Sequence, residues 1–198
     1  MKRAGQAFAF LALSFLVALS AKAGETVGVA GSGVRFTTQT DYSVNGKPLK
    51  LNLTGTAMRT KFLVNVYAIG SYVQEGVRAK TADDIVSADC LKQLHLVMER
   101  AVNGRDMASN FRASILMNHK EEEFSQELAT LETLFQKNKV NKGDQVKLTH
   151  IPGVGIHCHV IDKMEVTIKG VKFSQAIWEI YLGKQNLGDD IKKNLVSR

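Results

Sequence analysis

The clearest pattern of hydrophobic and polar positions lies between residues 55 and 73, in the segment GTAMRTKFLVNVYAIGSYV. From Phe62 onward the apolar side chains alternate with a period of two residues, which is typical of a β-strand. The alternation predicts Phe62, Val64, Val66, Ala68 and Gly70 on one face, and Leu63, Asn65, Tyr67, Ile69 and Ser71 on the other. We therefore expect a strand that is buried on one face and mostly apolar, with a few polar groups, on the other.

Similar patterns predict the remaining elements of the chain. Strands are expected over residues 27–38 (broken by glycines), 42–53, 91–98, 145–149, 155–161 and 163–168, with Asn45-Gly46 forming a hairpin turn. Helices are expected over residues 82–87, 103–118, 120–137, 172–182 and 189–196, with Thr81 and Asn103 as N-caps and Gly183 as a C-cap. This order of elements indicates an α+β domain in which a sheet packs against a layer of helices.

The first 23 residues have the three parts of a secretory signal peptide. Lys2 and Arg3 are followed by an apolar run over residues 7–19 and by Ala21-Lys22-Ala23, an A-x-A cleavage site. We expect cleavage after Ala23, a folded domain over residues 24–198, and a periplasmic or secreted protein. No later apolar run reaches the roughly 20 residues that a membrane span requires, so no integral span is expected after cleavage. The alternative is a retained N-terminal anchor.

Charge and motifs exclude several classes of function. Of the 26 basic residues three lie in the leader, which leaves 23 against 19 acidic residues and a net charge of +4. This mild excess, without a dense basic run, argues against nucleic acid as a partner. No glycine pattern suggests a phosphate-binding cofactor, and no serine, cysteine or threonine has the context of a catalytic nucleophile. His157 and His159 share a strand face but lack convincing further ligands, so neither a metal nor another cofactor is expected.

Two cysteines, Cys90 and Cys158, lie in the part that would be exported. An even number of cysteines in an exported protein permits one disulfide bond. A free thiol buried beside a strand is the other reading, because buried cysteines are common in protein cores. Both readings are open at the level of sequence.

Arg59 and Tyr67 are the polar residues of the alternating segment that could bind a ligand. A guanidinium and a phenol beside an apolar wall can hold the carboxylate or carbonyl of an amphipathic molecule. The structural alternative is an arginine at the end of a strand and a tyrosine whose hydroxyl reaches the surface.

The same segment, GxxxRxKFLxNVYAIGxYV, resembles the central motif of the chalcone isomerase-like superfamily. This superfamily contains plant chalcone isomerases, fatty-acid-binding relatives and exported bacterial members. The resemblance continues in the C-terminal segment FSQAIWEIYLGKQNLGDDIKKNL, which is similar to the last two helices of the family. It implies an open-faced β-sandwich with a ligand cleft between an antiparallel sheet and the helices.

The resemblance also implies which residues line that cleft. Plant chalcone isomerases bind the phenolate and ketone of their substrate with an arginine, a threonine and a tyrosine, beside an asparagine and a second threonine. Here Arg59 matches the arginine approximately, Tyr67 replaces the catalytic threonine, and Asn103 stands where the tyrosine is expected. Asn110 matches the asparagine, and Ile180 replaces the second threonine.

The replacements at Ile180 and Asn103 remove donors that would stabilise the enolate formed during ring closure, so efficient flavonoid cyclisation is not expected. Arg59 with Tyr67 is instead similar to the pair that holds the carboxylate in the fatty-acid-binding relatives. Tyr181, next to Ile180, completes the set of expected ligand-binding residues. The sequence thus favours an exported, non-catalytic protein that binds a fatty acid or another small amphipathic carboxylate. The alternatives are an isomerase or lyase with altered activity, and an envelope structural or interaction protein whose cleft is collapsed; no protein partner can be named.

Overall fold

The computed structural model describes residues 24–44, 46–136 and 139–198. The signal peptide predicted over residues 1–23 lies outside these ranges, as do Asn45 of the predicted turn and Lys137 at the end of a predicted helix. The described residues form nine strands: β1 Thr26–Gly28, β2 Arg35–Thr37, β3 Gln39–Val44, β4 Lys47–Lys61, β5 Val64–Gln74, β6 Lys92–Met98, β7 Gln145–Ile151, β8 Gly155–Val160 and β9 Met164–Lys169.

Five α-helices and one short 3₁₀ turn accompany the strands in the described part of the chain. The helices are α1 Ala82–Ser87, α2 Gly104–Ile115, α3 Ser125–Gln136, α4 Val171–Leu182 and α5 Asp189–Leu195, and the 3₁₀ turn spans Glu121–Glu123. The side chains of Thr81 and Asn103 cap α1 and α2, as predicted. The helix predicted over residues 120–137 is divided, because Phe124 has φ −139° and ψ 30° and separates the 3₁₀ turn from α3.

Strands β3 to β9 form one antiparallel sheet in which every strand lies next to its neighbour in sequence. The helices inserted after β5, β6 and β9 cover one face, and the β1–β2 hairpin covers part of the other. The larger core therefore lies between sheet and helices, and a smaller one around Phe36, Leu51 and Tyr72 lies beneath β1–β2. The predicted α+β architecture is confirmed. Trp178 of α4 is a buried residue of the larger core.

The predicted strand from Phe62 to Val73 is wrong at its beginning. Phe62 and Leu63 form the two-residue turn of the β4–β5 hairpin, with φ +51° and +63°, and Lys61 pairs with Val64 across the turn. Positive φ at both central residues defines a type I′ turn, for which Asn-Gly is the usual sequence. Because a left-handed backbone costs a residue with a side chain roughly 1–2 kcal/mol, Phe-Leu gives no local signal for this turn.

Two β-bulges set which side chains of this hairpin face the helices. Leu53 pairs with Tyr72 and Gly55 with Ser71, so Thr54 is an extra residue in β4. Likewise Arg59 pairs with Tyr67 and Thr60 with Asn65, so Val66 is an extra residue in β5. An extra residue reverses the alternation of the strand that carries it. The prediction that Asn65 and Tyr67 share a face is therefore wrong, and Asn65 instead donates to the Gly31 carbonyl of the β1–β2 loop.

The possible disulfide between Cys90 and Cys158 is absent, and both thiols are free. Cys158 lies in β8, whereas Cys90 precedes β6, and β7 runs between these two strands. Two strand spacings of about 4.8 Å already exceed the roughly 7 Å limit for the Cα separation of a disulfide. Burial raises the pKa of the Cys158 thiol to about 12. Among the described residues, no helix is both long and apolar enough to cross a membrane.

We predict that His95 makes the stability of the fold depend on pH. Burial, assisted by the charge of Lys147, lowers the pKa of His95 from 6.5 to about 4. As the pH falls below 6.5 the unfolded chain takes up this proton first, so the free energy of unfolding should decrease until about pH 4. The slope expected for one proton is about 1.4 kcal/mol per pH unit. Urea unfolding of the wild type and of His95→Gln between pH 6.5 and about 4 measures how the free energy of unfolding depends on pH. Equal slopes for the two proteins would contradict the contribution assigned to His95.

Candidate functional site

A cleft opens between the turn end of the β4–β5 hairpin and helices α2 and α4. Its cavity volume is about 60 Å³. The lining residues come from both layers of the fold: Arg59, Lys61, Val66, Tyr67, Val102, Met107, Asn110, Phe111, Ser114, Ile180, Tyr181 and Leu187. The cleft therefore lies between sheet and helices, where the sequence predicts a ligand site.

The structure brings five of the six predicted ligand-binding residues together at this cleft: Arg59, Tyr67, Asn110, Ile180 and Tyr181. Asn103 is not among the lining residues. It is an exposed N-cap of α2, and its side chain accepts a hydrogen bond of 3.0 Å from the Arg105 amide. Its role is thus to begin the helix that carries Asn110 into the cleft.

Arg59 and Tyr67 are directly opposite each other in the β4–β5 pairing. They lie on two strands rather than on one, because the turn at Phe62 and Leu63 folds the predicted segment back on itself. The bulge at Val66 adjusts the alternation so that both Arg59 and Tyr67 line the cleft. Arg59 donates through Nη1 to the carbonyls of Thr60 (3.2 Å) and Leu187 (3.1 Å).

The hydroxyls of Tyr67 and Tyr181 form a buried hydrogen bond of 3.0 Å at the base of the cleft. Burial raises the pKa of both phenols above the ordinary value of 10, for Tyr181 well above it, although Arg59 opposes each shift. Both phenols are therefore neutral O–H groups at physiological pH. Since their mutual bond uses one of the two hydroxyl protons, the other can be donated to a ligand.

Helix α2 forms the wall opposite the hairpin. Asn110 accepts a hydrogen bond of 3.1 Å from Lys61 Nζ and donates to the Asp106 carbonyl at 2.6 Å. One turn later Ser114 donates to the Asn110 carbonyl at 2.7 Å. These contacts join the tip of β4 to the first turns of α2.

The charge of the lining suits an anion. Arg59 and Lys61 are cationic, and none of the described residues that line the cleft is an aspartate or a glutamate. Among the described residues, neither cation takes part in an ion pair. Apolar side chains such as Met107, Phe111 and Ile180 line much of the remaining wall. An amphipathic anion matches this combination of charge and apolar surface.

Comparison with known proteins identifies the family. A family model described as chalcone isomerase-like matches residues 29–197. The chain belongs to this chalcone isomerase-like family. Its fold is similar to the crystal structure of an Arabidopsis thaliana fatty-acid binding protein, with a TM-score of 0.68 and 18% sequence identity over 87% of this chain and 96% of that one. At this identity the similarity establishes the fold alone. A comparison with curated protein sequences found no match.

Within this chalcone isomerase-like fold, the cleft includes residues that the sequence analysis did not assign to it. Lys61 lies two residues from Arg59 and therefore on the same face of β4, a spacing that could have revealed it. Met107 and Phe111 were expected only as the apolar stripe of a helix, and Ser114 continues that face with Asn110 at helical spacing. Leu187 follows α4, and no periodicity indicates its position.

A second polar cluster lies away from the cleft, at the other end of the sheet. His150 contacts Ser174 Oγ through Nδ1 (2.8 Å) and Asp89 Oδ1 through Nε2 (2.9 Å). The residue types are those of a catalytic triad, but Ser174 and His150 have no exposed surface. The serine is therefore closed to a substrate, and the cluster links α4 and β7 to the loop before β6. His157, of the pair considered for metal, contacts Tyr42 and Glu165.

We predict that the Tyr67–Tyr181 pair shows strong coupling in a double-mutant cycle. Tyr67→Phe or Tyr181→Phe alone leaves one buried hydroxyl without its partner, which should cost about 1–3 kcal/mol of unfolding free energy. The double variant removes both hydroxyls and should cost clearly less than the sum of the single changes. Chemical denaturation of the four proteins measures the coupling, and additive costs would contradict a direct hydroxyl–hydroxyl bond.

Proposed function

We propose that this protein is an exported, non-catalytic member of its family that binds a fatty acid or a similar small amphipathic carboxylate. The observation that carries the proposal is the cross-strand pair of Arg59 and Tyr67 at an apolar cleft. Fatty-acid binding by the structurally similar Arabidopsis protein supports the ligand class.

The carboxylate would be held by the guanidinium and the phenol pair. Arg59 uses only Nη1 in its two described hydrogen bonds, so its other N–H groups remain for a ligand. The hydroxyl proton left over from the Tyr67–Tyr181 bond supplies a further donor. Hydrogen bonds from a cation to a carboxylate are about twice as strong as neutral ones, and burial strengthens them further.

The hydrocarbon chain would follow the apolar wall, and this requires the cleft to widen. A volume of 60 Å³ corresponds to a few water molecules at about 10–15 Å³ each, far below the roughly 300–1,000 Å³ of common ligand pockets. The carboxylate and the first methylenes fit this space. Met107 is the lining residue best suited to move, because methionine is unbranched and flexible. Each additional CH₂ that becomes buried would contribute about 0.8 kcal/mol.

The small volume also favours one alternative, an interaction protein of the cell envelope whose cleft stays closed. Isomerase activity is the less favoured alternative. Ile180 and Asn103 stand where the resemblance expects a threonine and a tyrosine, and Asn103 does not line the cleft, so two of the expected donors to a developing enolate are missing. We expect a chalcone to cyclise at its uncatalysed rate in the presence of this protein.

We predict that Arg59 is required for binding of dodecanoate, the probe for this ligand class. Arg59→Gln should weaken dodecanoate binding about 10- to 100-fold, because it removes a charged hydrogen-bond donor. Arg78→Gln, at an exposed arginine outside the cleft, is the matched control and should bind like the wild type. Isothermal titration calorimetry measures the affinities. Dodecanol, which lacks the carboxylate, should bind weakly and equally to all three proteins.

Two results would contradict the proposal. Equal affinity of Arg59→Gln and wild type would exclude the arginine from the site. Absence of dodecanoate binding by the wild type would favour the closed-cleft interaction protein. Because Arg59 also bonds to the Leu187 carbonyl, the melting temperature of each variant must be compared with that of the wild type.

We further predict that the native host removes the first 23 residues. The mass of the protein recovered from the periplasm or the culture medium should correspond to a chain that begins at Gly24, after the Ala21-Lys22-Ala23 site. Ala23→Arg should block cleavage and leave the precursor in the membrane fraction. Recovery of the uncleaved wild-type chain from the cytoplasm would contradict export.

A further inference from the structure

The turn of the β4–β5 hairpin exposes three consecutive apolar residues. Phe62 is 88% exposed, Leu63 99% and Val64 47%. Single exposed apolar residues are normal on protein surfaces, but two large ones at the tip of a hairpin form a projecting apolar patch. We call Phe62 and Leu63 the apolar tip.

The backbone of the apolar tip makes this choice of residues costly for folding. Both residues have positive φ, where glycine and asparagine are favoured and bulky side chains are not. An Asn-Gly pair would form the same turn without strain and would be more soluble. Phe-Leu at this turn benefits neither the stability of the fold nor the solubility of the protein. The two side chains therefore indicate that the tip itself interacts with another surface.

The charge around the apolar tip identifies the kind of surface that it fits. From Lys47 to Gln74 the hairpin contains four basic residues and no acidic one, and Lys61 and Arg59 are the basic residues nearest the tip. Lys61 Nζ lies 5.7 Å from the centre of the Phe62 ring. A projecting aromatic and aliphatic pair with adjacent cations fits a layer of anionic headgroups above hydrocarbon.

Neighbouring loops at the same end of the sheet carry charges of both signs. Arg100 and Arg105 are exposed there, beside the exposed Asp106. Glu99 is half-buried and accepts a hydrogen bond from Ser32. Asp189 and Asp190 are also exposed, two and three residues after the Leu187 carbonyl that Arg59 contacts. The attraction to an anionic surface therefore rests on Lys61 and Arg59, the basic residues nearest the apolar tip.

We propose that the apolar tip inserts into the surface of an anionic phospholipid bilayer, with Lys61 and Arg59 contacting lipid phosphates. Arg59 and Lys61 also line the cleft, so docking would bring the mouth of the cleft to the lipid surface. The proposal does not require that the cleft binds a carboxylate, because Phe62 and Leu63 are not cleft-lining residues.

Flotation with lipid vesicles tests this proposal. The probes are vesicles of phosphatidylglycerol and phosphatidylcholine in equal parts and vesicles of phosphatidylcholine alone. The wild type should float with the first more than with the second, and added salt should reduce this binding. The double variant Phe62→Asn/Leu63→Gly should bind the anionic vesicles at least about tenfold more weakly, because it loses two apolar side chains. Its melting temperature should not fall, since Asn-Gly suits the turn.

Val154→Asn is the matched control. Val154 is 41% exposed and lies in the β7–β8 turn at the opposite end of the sheet. Its replacement should leave vesicle binding unchanged. All proteins are used as the host processes them, with the same N-terminus verified by mass spectrometry. Dodecanoate binding by the Asn-Gly variant, measured in parallel, shows whether the cleft is intact.

The variant Phe62→Trp places a fluorescent side chain in the apolar tip, so its signal does not depend on how the N-terminus is processed. The only natural tryptophan, Trp178, has no exposed surface, so a change on adding vesicles reports on position 62. When vesicles are added, the fluorescence emission of the tryptophan introduced at position 62 should shift to shorter wavelength, and brominated lipids should quench it.

Three results would overturn the proposal. These are a wild type that does not float with anionic vesicles, an Asn-Gly variant that floats equally well, or an unchanged emission from Trp at position 62. Sedimentation velocity adds a further decisive outcome. A wild-type dimer that the Asn-Gly variant converts to monomer, without vesicle binding, would assign the tip to contact between copies of the chain.

Discussion

The register of the β4–β5 hairpin is the constraint on which the rest of the site depends. With the extra residue at Thr54, Leu51 and Leu53 face the smaller core while Ala57 faces the larger one. The extra residue at Val66 then places Tyr67 opposite Arg59 on the helix side. Without either bulge, one of the strands would turn its polar groups to the other face of the sheet.

Contacts with the C-terminal residues hold the bulge at Thr54 in place. Thr54 Oγ1 donates to the Leu195 carbonyl at 2.8 Å, and the Arg198 amide donates to the Thr54 carbonyl at 2.9 Å. A side chain at Gly55 would come within 2.0 Å of the Asn194 carbonyl oxygen, so only glycine allows α5 to approach. The geometry of the cleft is therefore coupled to the docking of the last helix, although that helix contributes none of the described lining residues.

The cleft combines buried, neutral phenols with cations that reach solvent. Tyr67 and Tyr181 are buried and stay protonated, whereas Arg59 and Lys61 keep contact with solvent at the mouth. A charged group at the base would have to be desolvated, which is costly without a partner. The charged groups thus lie where water can solvate them, and the neutral hydrogen-bond donors lie where water is excluded. This change in polarity from the mouth to the base of the cleft suits a ligand with an anionic head and an apolar tail.

Period-two and helical spacing in the sequence were sufficient to predict most strands and helices, the α+β class, and the capping of α1 and α2, because these depend on local patterns. The motifs of the central strand and the last helices were sufficient to predict the family. The resemblance to that family also placed Arg59, Tyr67, Asn110, Ile180 and Tyr181 in the set of candidates that the structure brings together. Only the tertiary structure decided the turn at Phe62 and Leu63, the faces of Asn65 and Val66, the separation of the two cysteines and the position of Leu187. Each of these depends on how strands and helices pair and pack, and a strained turn or an extra residue in a strand leaves no periodic signal along the chain.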